Sequence, residues 1–547
     1  MADENKGLPM AAKWDPEKLN REVEQLKELN AKPFFGRLGG YVKRSGPGLL
    51  QSAMTLGAGS AAASVMAGAS FGYKLLWVQP LAMFLGIMML MALGNIVLTT
   101  GERPYKAFGR EFDLSIGGSA FGRNGKLTMA FFWALGTVMA SIIWHFPQYG
   151  LASNAAWDMA KVLGATPDSE AAQNGVKFGI GGVILLVSII TTWNYGGNSR
   201  GIKIYEWFLR IIIASVIISF GIVVFYNIGA IEWDKLGRGF LGLDGIPKGS
   251  ILLVLGMLGA AVGINMTFLY PYSLLAKGWG KHHKGVQRAD LAISMFIPFV
   301  LVTSLMMLAM TVSGVYDGSD VVNKDMNTLE ASKSLANVMG PTLGRVIFNL
   351  GFIGMTCGAI STHMVVCGFT FCEMFGLEYT VWRYRLFSLV PAVGYLGVIT
   401  QTPMWFPVVA SAICFTMLPI AYIMFLVLNN KRSYIGDAVG KGFGRLVFNV
   451  TLVVALIVAT SGAIYGFYKK VILPIEEKIG NYYITTSTPE NLKPLVSDEE
   501  TEKATMEINS KLEKAKELVE EDKAKKEKAR KEEIENAKKA KEQKNTE

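Results

Sequence analysis

The sequence predicts an all-α polytopic membrane protein of about 11 transmembrane helices, arranged as an inverted five-plus-five helix repeat with one helix beyond it. Three observations predict this. Of the 547 residues, 51% are hydrophobic and only 18% charged, with mean hydropathy +0.32, more apolar surface than a water-soluble chain can cover. The apolar residues gather into about eleven runs near the ~20 residues that cross a hydrocarbon core of ~30 Å. Two of those runs, five spans apart, carry glycine clusters in their middles, the pattern of paired discontinuous helices.

Taken in order, residues 1–45 form a charged and polar N-terminal arm without the apolar stretch of a signal peptide, so insertion relies on the first span. The membrane-spanning core occupies 46–470. Its runs cover 47–70, 75–99, 127–157, 177–195, 204–227, 249–276, 289–313, 344–374, 384–399, 404–429 and 446–468. Residues 471–547 make a charged C-terminal tail. From Lys469 onward there are 18 basic and 19 acidic residues, so the Glu and Lys blocks nearly cancel. That composition suits a solvent-exposed charged helix or a disordered appendage, and a helix that docks a partner is the second reading.

Orientation follows from the basic residues. The arm and alternate loops hold 27 of the 54 Lys and Arg, the other loops hold 9, and 18 follow the last span. The rich side normally stays cytoplasmic, which places the N-terminus inside and, with an odd number of spans, the tail on the opposite side.

The glycine clusters are Leu56-Gly57-Ala58-Gly59-Ser60 in the first span and Gly256 to Asn265 in the sixth. Backbone that is irregular at mid-membrane must line a protein or water-filled cavity, because lipid satisfies none of its polar groups. Small residues also serve plain helix packing, and Gly259-x-x-x-Gly263 fits that pattern. Two clusters in corresponding positions favour a substrate site at the breaks.

Around these clusters the chain carries Gly46-Pro-Gly-Leu-Leu, Ala67-Gly-Ala-Ser-Phe-Gly-Tyr-Lys-Leu-Leu-Trp, Leu258-Gly-Ala-Ala-Val, Leu329-Glu-Ala, Gly358-Ala-Ile-Ser-Thr and Leu418-Pro. In order and spacing, from about 46 to 470, they resemble the Nramp family of divalent-metal transporters. The resemblance implies a LeuT-type fold and alternating access. It also exposes departures. Where the family's first helix has Asp-Pro-Gly-Asn, this chain reads Gly57-Ala58-Gly59-Ser60; where its sixth has Ala-x-x-Met-Pro-His, it reads Ala260 to Asn265. Carboxylate, amide and thioether ligands are missing from those positions, Asn265 replaces the histidine, and only the Ala260 carbonyl survives. The acidic pair of the third helix falls near Trp144 to Pro147, where His145 is the sole titratable group, and the glutamine of the tenth aligns with Ser411.

Of the 44 acidic residues, 19 lie in the tail and the other 25 in loops, in the arm or near helix ends, so no carboxylate ligand lies at mid-membrane. Removing the hydration of a transition metal without an anionic ligand is unfavourable. The substrate site is therefore read as Gly57, Gly59, Ser60, Ala260, Gly263 and Asn265. It suits a hard inorganic cation that keeps much of its water, magnesium first. Two alternatives stand: a small organic solute such as an amino acid, its carboxylate at the positive end of the helix that restarts after the first break, and a non-transporting relative.

His145 and His363 lie within the third and eighth spans, where ionisable groups are costly and mark functional positions. His145 beside Pro147 could carry coupling protons, while Ser361 and Thr362 resemble a sodium-binding hydroxyl pair of LeuT-type carriers. Buried imidazoles and hydroxyls in plain packing are the competing reading for all four. Cys357, Cys367, Cys372 and Cys414 form no CxxC clip. No enzyme motif, cofactor or nucleic-acid-binding pattern is present, so the expected partners are the lipid bilayer and a small solute.

Overall fold

The computed structural model describes residues 16–468, apart from 45, 117–126, 165–168, 196–198, 323, 325, 400 and 401. The tail lies outside the described residues. The described residues belong to one compact unit.

Pro47 starts the first span well, because a helix's first turn has no use for its missing N–H. Helix Pro47–Thr55 then stops. Leu56 (φ −81°, ψ 54°) and extended Gly57 (φ −105°, ψ −167°) interrupt the chain before Ala58–Phe71 resumes it. The sixth span repeats the design: Ile251–Ala261, extended Val262 (φ −144°, ψ 113°) and Gly263 (φ −90°, ψ 164°), then Ile264–Ala276. Each break is shorter than its glycine cluster, since Gly59 and Ala260 are already helical. None of these residues has a left-handed backbone. Their glycines serve close approach, as the cavity shows below.

The remaining spans follow the predicted runs: Val78–Thr100, Met129–Val162, Glu170–Tyr195 and Ser199–Tyr226 in the first half; Lys284–Val312, Pro341–Met374, Val381–Ile399 and Trp405–Asn430 in the second; and Gly442–Phe467 last. Among the described residues, eight helical stretches are long and apolar enough to cross a membrane. The first, fifth and ninth spans fall outside that number, the fifth entering only as the shorter apolar helix Ile213–Tyr226. Outward faces of the fourth and eleventh spans expose Val183, Leu186, Ile190, Val450, Val454 and Ile457, surfaces suited to hydrocarbon.

The third and eighth spans, each one helix of 34 residues, pack against one another at the centre. The ninth departs from the expected α-helix over 384–399. Its α-helix ends at Ser388 and Val390–Ile399 forms a 3-10 helix. Three residues per turn align Pro391, Gly394 and Gly397 on one face, and that face meets the third span. A Cβ on Gly394 would lie 2.2 Å from His145 Cβ, and one on Gly397 2.2 Å from Phe146 O. In the tenth span Trp405–Phe415 gives way to Leu418–Asn430, where Pro419 at the start of the second piece cannot continue the preceding ladder. Short elements in the connections include an antiparallel pair, Asp113–Ile116 with Leu127–Thr128.

Candidate functional site

The two interruptions meet in one small cavity. Gly57, Gly59, Ser60, Ala260, Gly263 and Asn265 all line it, joined by His363. Its other walls were not among the predicted site residues: Met54 and Thr55 before the first break, Trp144 and Gln148 from the third span, and Gly259 and Met266 around the second break. Thr55 and Gln148 are polar residues inside apolar runs, a signal that was visible but unspecific.

Much of the broken backbone is satisfied from within. Ser60 Oγ donates across the first break to Thr55 O (2.6 Å), with Gly57 O at 3.2 Å. Thr55 Oγ1 ties the two breaks together by donating to Ala261 O (3.2 Å). Ala58 N–H, the first donor of the resumed helix, goes to Gln148 Oε1 at 3.0 Å. The thioether absent from position 263 has a substitute one turn on. Met266 Sδ accepts from Gly263 N–H at 3.4 Å and lies 3.4 Å from Thr55 Oγ1. Asn265 Oδ1 accepts from Met266 N–H (3.0 Å), whereas its buried Nδ2 has no partner among the described residues.

Close packing explains the glycines. A Cβ on Gly59 would lie 1.9 Å from Trp144 Cη2, and one on Gly259 2.3 Å from Ser411 O. Ser411 touches both helices at the wall while its own Oγ donates to Pro407 O (2.7 Å). Ser361 and Thr362 do not line the cavity. Their hydroxyls donate within the eighth helix to Gly358 O, each at 3.0 Å. His145 stands behind the wall, fully buried, with its ring 5.3 Å from that of His363. Their Nδ1 atoms face the same carbonyl, Ser141 O, at 2.7 Å and 3.4 Å, so both carry a proton there.

No charged side chain lines the cavity. Among the described residues no group of three or more His, Cys, Asp and Glu could hold a metal, and all four cysteines are free. Two buried carboxylates on the long helices, Asp158 and Glu373, lie near helix ends. Asp158 pairs with Arg345 and Asn349, and Glu373 with Arg103 and Tyr379.

Two interrupted helices whose breaks share one cavity define a broken-helix membrane carrier. Residues 48–465 match the family profile described as natural resistance-associated macrophage protein-like. The chain belongs to this Nramp family of membrane transporters and is not an enzyme. It is similar to the divalent metal cation transporter MntH of Yersinia enterocolitica, 20% identical over 420 residues that cover 75% of this chain and 92% of that protein. A manganese transporter of Eremococcus coleocola, solved with an aromatic bis-isothiourea substituted compound, superposes with a TM-score of 0.59 at 14% identity, covering 83% of this chain and 94% of that one. Mhp1, a nucleobase-cation-symport-1 family transporter, gives a TM-score of 0.50 at 12% identity, covering 77% and 92%. These likenesses show the fold, the LeuT-type five-plus-five inverted repeat.

Proposed function

We propose that this protein carries a divalent metal cation by alternating access, with the cation held between the two breaks. The observation that carries the reading is the convergence of both interruptions on one small uncharged cavity. Without a carboxylate the cation keeps much of its water, and the groups around it are backbone carbonyls, hydroxyls and amides, which favour a hard ion such as magnesium. Met266 supplies the one sulfur in the lining, and Gly263 N–H takes one of its lone pairs. His363 keeps Nε2 as an acceptor beside the site.

Family membership supports the cation, as does Gln148. The leading N–H of the resumed first span, one of those an amino-acid carboxylate would use, is already taken by Gln148 Oε1. One observation favours the organic-solute reading, the unpartnered Nδ2 of Asn265. Uptake into proteoliposomes separates the two. Saturable magnesium uptake is expected, with no manganese binding that saturates at micromolar concentrations. Tight manganese binding overturns the hard-ion assignment, and saturable amino-acid uptake without any cation uptake overturns the cation reading. The basic-residue asymmetry puts the N-terminal arm in the cytoplasm and the tail outside. Labelling single cysteines in each from the two sides tests that orientation.

A further inference from the structure

We propose that Gln148 sets the charge selectivity of the cavity by standing in, from the third span, for the side chain that Gly57 lacks. Its amide reaches the first break from outside the first helix. Oε1 accepts Ala58 N–H at 3.0 Å, which fixes the amide's orientation and turns Nε2 toward Gly57. An added Cβ on Gly57 would lie 2.7 Å from that Nε2 and 2.8 Å from Ala359 Cβ. The volume beside residue 57 is therefore filled by a neutral amide. Gln148 is 1% exposed and lines the cavity. Pro147, immediately before it, removes one link of the third helix's ladder, a local disturbance that lets the next side chain lean toward the first span.

Charge can thus enter this site at position 148 more easily than at position 57. A carboxyl on Gly57 has to push aside Gln148 and Ala359. Gln148→Glu changes no heavy-atom count, keeps an acceptor for Ala58 N–H, and places its charge against the positive end of helix Ala58–Phe71, where an anion is favoured. The neutral amide is what keeps the cavity from stripping a strongly hydrated transition-metal ion.

The inference rests on the cation reading, and the test separates the two. The full chain, Gln148→Glu and Gln148→Met are compared in proteoliposomes for magnesium and manganese uptake, and by calorimetry for manganese binding. Gln148→Glu is expected to bind manganese at least tenfold more tightly than the unmodified protein, with affinity falling at acid pH as the new carboxylate takes up a proton. Gln148→Met, of similar length but unable to accept from Ala58 N–H, is expected to lower magnesium uptake at least fivefold, and it decides the matter if the glutamate variant fails to fold. Cation uptake by the unmodified protein, with the magnesium-to-manganese ratio unchanged in every folded variant, overturns the inference alone. No cation uptake by the unmodified protein, with manganese binding still acquired by Gln148→Glu, overturns the cation reading alone. No cation uptake or binding by any of the three overturns both.

Discussion

At Gly59 a single hydrogen atom separates the first span from the Trp144 indole. Gly59→Ala, the smallest change available, brings a Cβ to 1.9 Å from Trp144 Cη2, so the ring has to swing into the cavity or the helices have to part. Overpacking of this kind costs about 1–3 kcal/mol. The expected outcome is loss of uptake with a modest drop in melting temperature, and Trp144→Phe in the same background should restore part of both. Unchanged uptake by Gly59→Ala would show that the indole is not a fixed wall. The glycine itself was legible in the sequence, because a cluster of small residues in an apolar run has few other uses. Its partner was not. Trp144 sits 85 positions downstream in an ordinary apolar stretch, and Gln148 gives no pattern until the third span is packed on the first.

The first half-helix, Pro47–Thr55, is held at its N-terminus by a carboxylate from the seventh span. Asp290 accepts Gly46 N–H through Oδ1 at 3.0 Å and Gly48 N–H through Oδ2 at 2.6 Å. A Cβ on Gly48 would lie 2.8 Å from Asp290 O, so the approach needs glycine there. The π-helical turn Ala292–Phe296 follows at once, an irregularity of the kind found where helices must yield. Asp290→Asn keeps the shape but can accept only one of the two bonds and carries no charge toward the helix terminus. It should weaken the clasp by about 1–3 kcal/mol and raise the reactivity of a cysteine placed at Ser52, which is fully buried, toward reagents from the Gly46 end. Equal labelling of both proteins would show that the clasp does not hold the half-helix shut. Asp290 was legible only as a charge at the edge of an apolar run. Element type also escaped the reading where a tertiary contact overrides propensity. The ninth run looks like any short apolar helix, and only contact with the third span shows why Pro391, Gly394 and Gly397 wind three to a turn.

For the whole molecule, span number and the pairing of the two breaks were legible because lipid imposes both. It demands apolar length, and it forbids unsatisfied backbone except around a cavity. The chemistry of the cavity was half legible. Missing ligands could be read position by position, whereas the groups that fill their places, Gln148 and Met266, arrive from another helix and from the next turn. Neutrality of the lining then bears on energetics that no contact distance reveals. With no fixed charge to offset its cargo, a carrier holding a divalent ion moves two elementary charges through the membrane field, and the same carrier returning empty moves none. At ~2.3 kcal/mol per charge for each 100 mV, the loaded step gains or loses roughly 4–5 kcal/mol while the empty step is indifferent. Imposing a potassium-diffusion potential on proteoliposomes should therefore accelerate net uptake and leave the return of the unloaded protein unaltered. Uptake that ignores voltage would mean that a counter-charge travels with the ion. A relative with an aspartate at the first break would have no such division, because its empty form would carry one negative charge back across the same field.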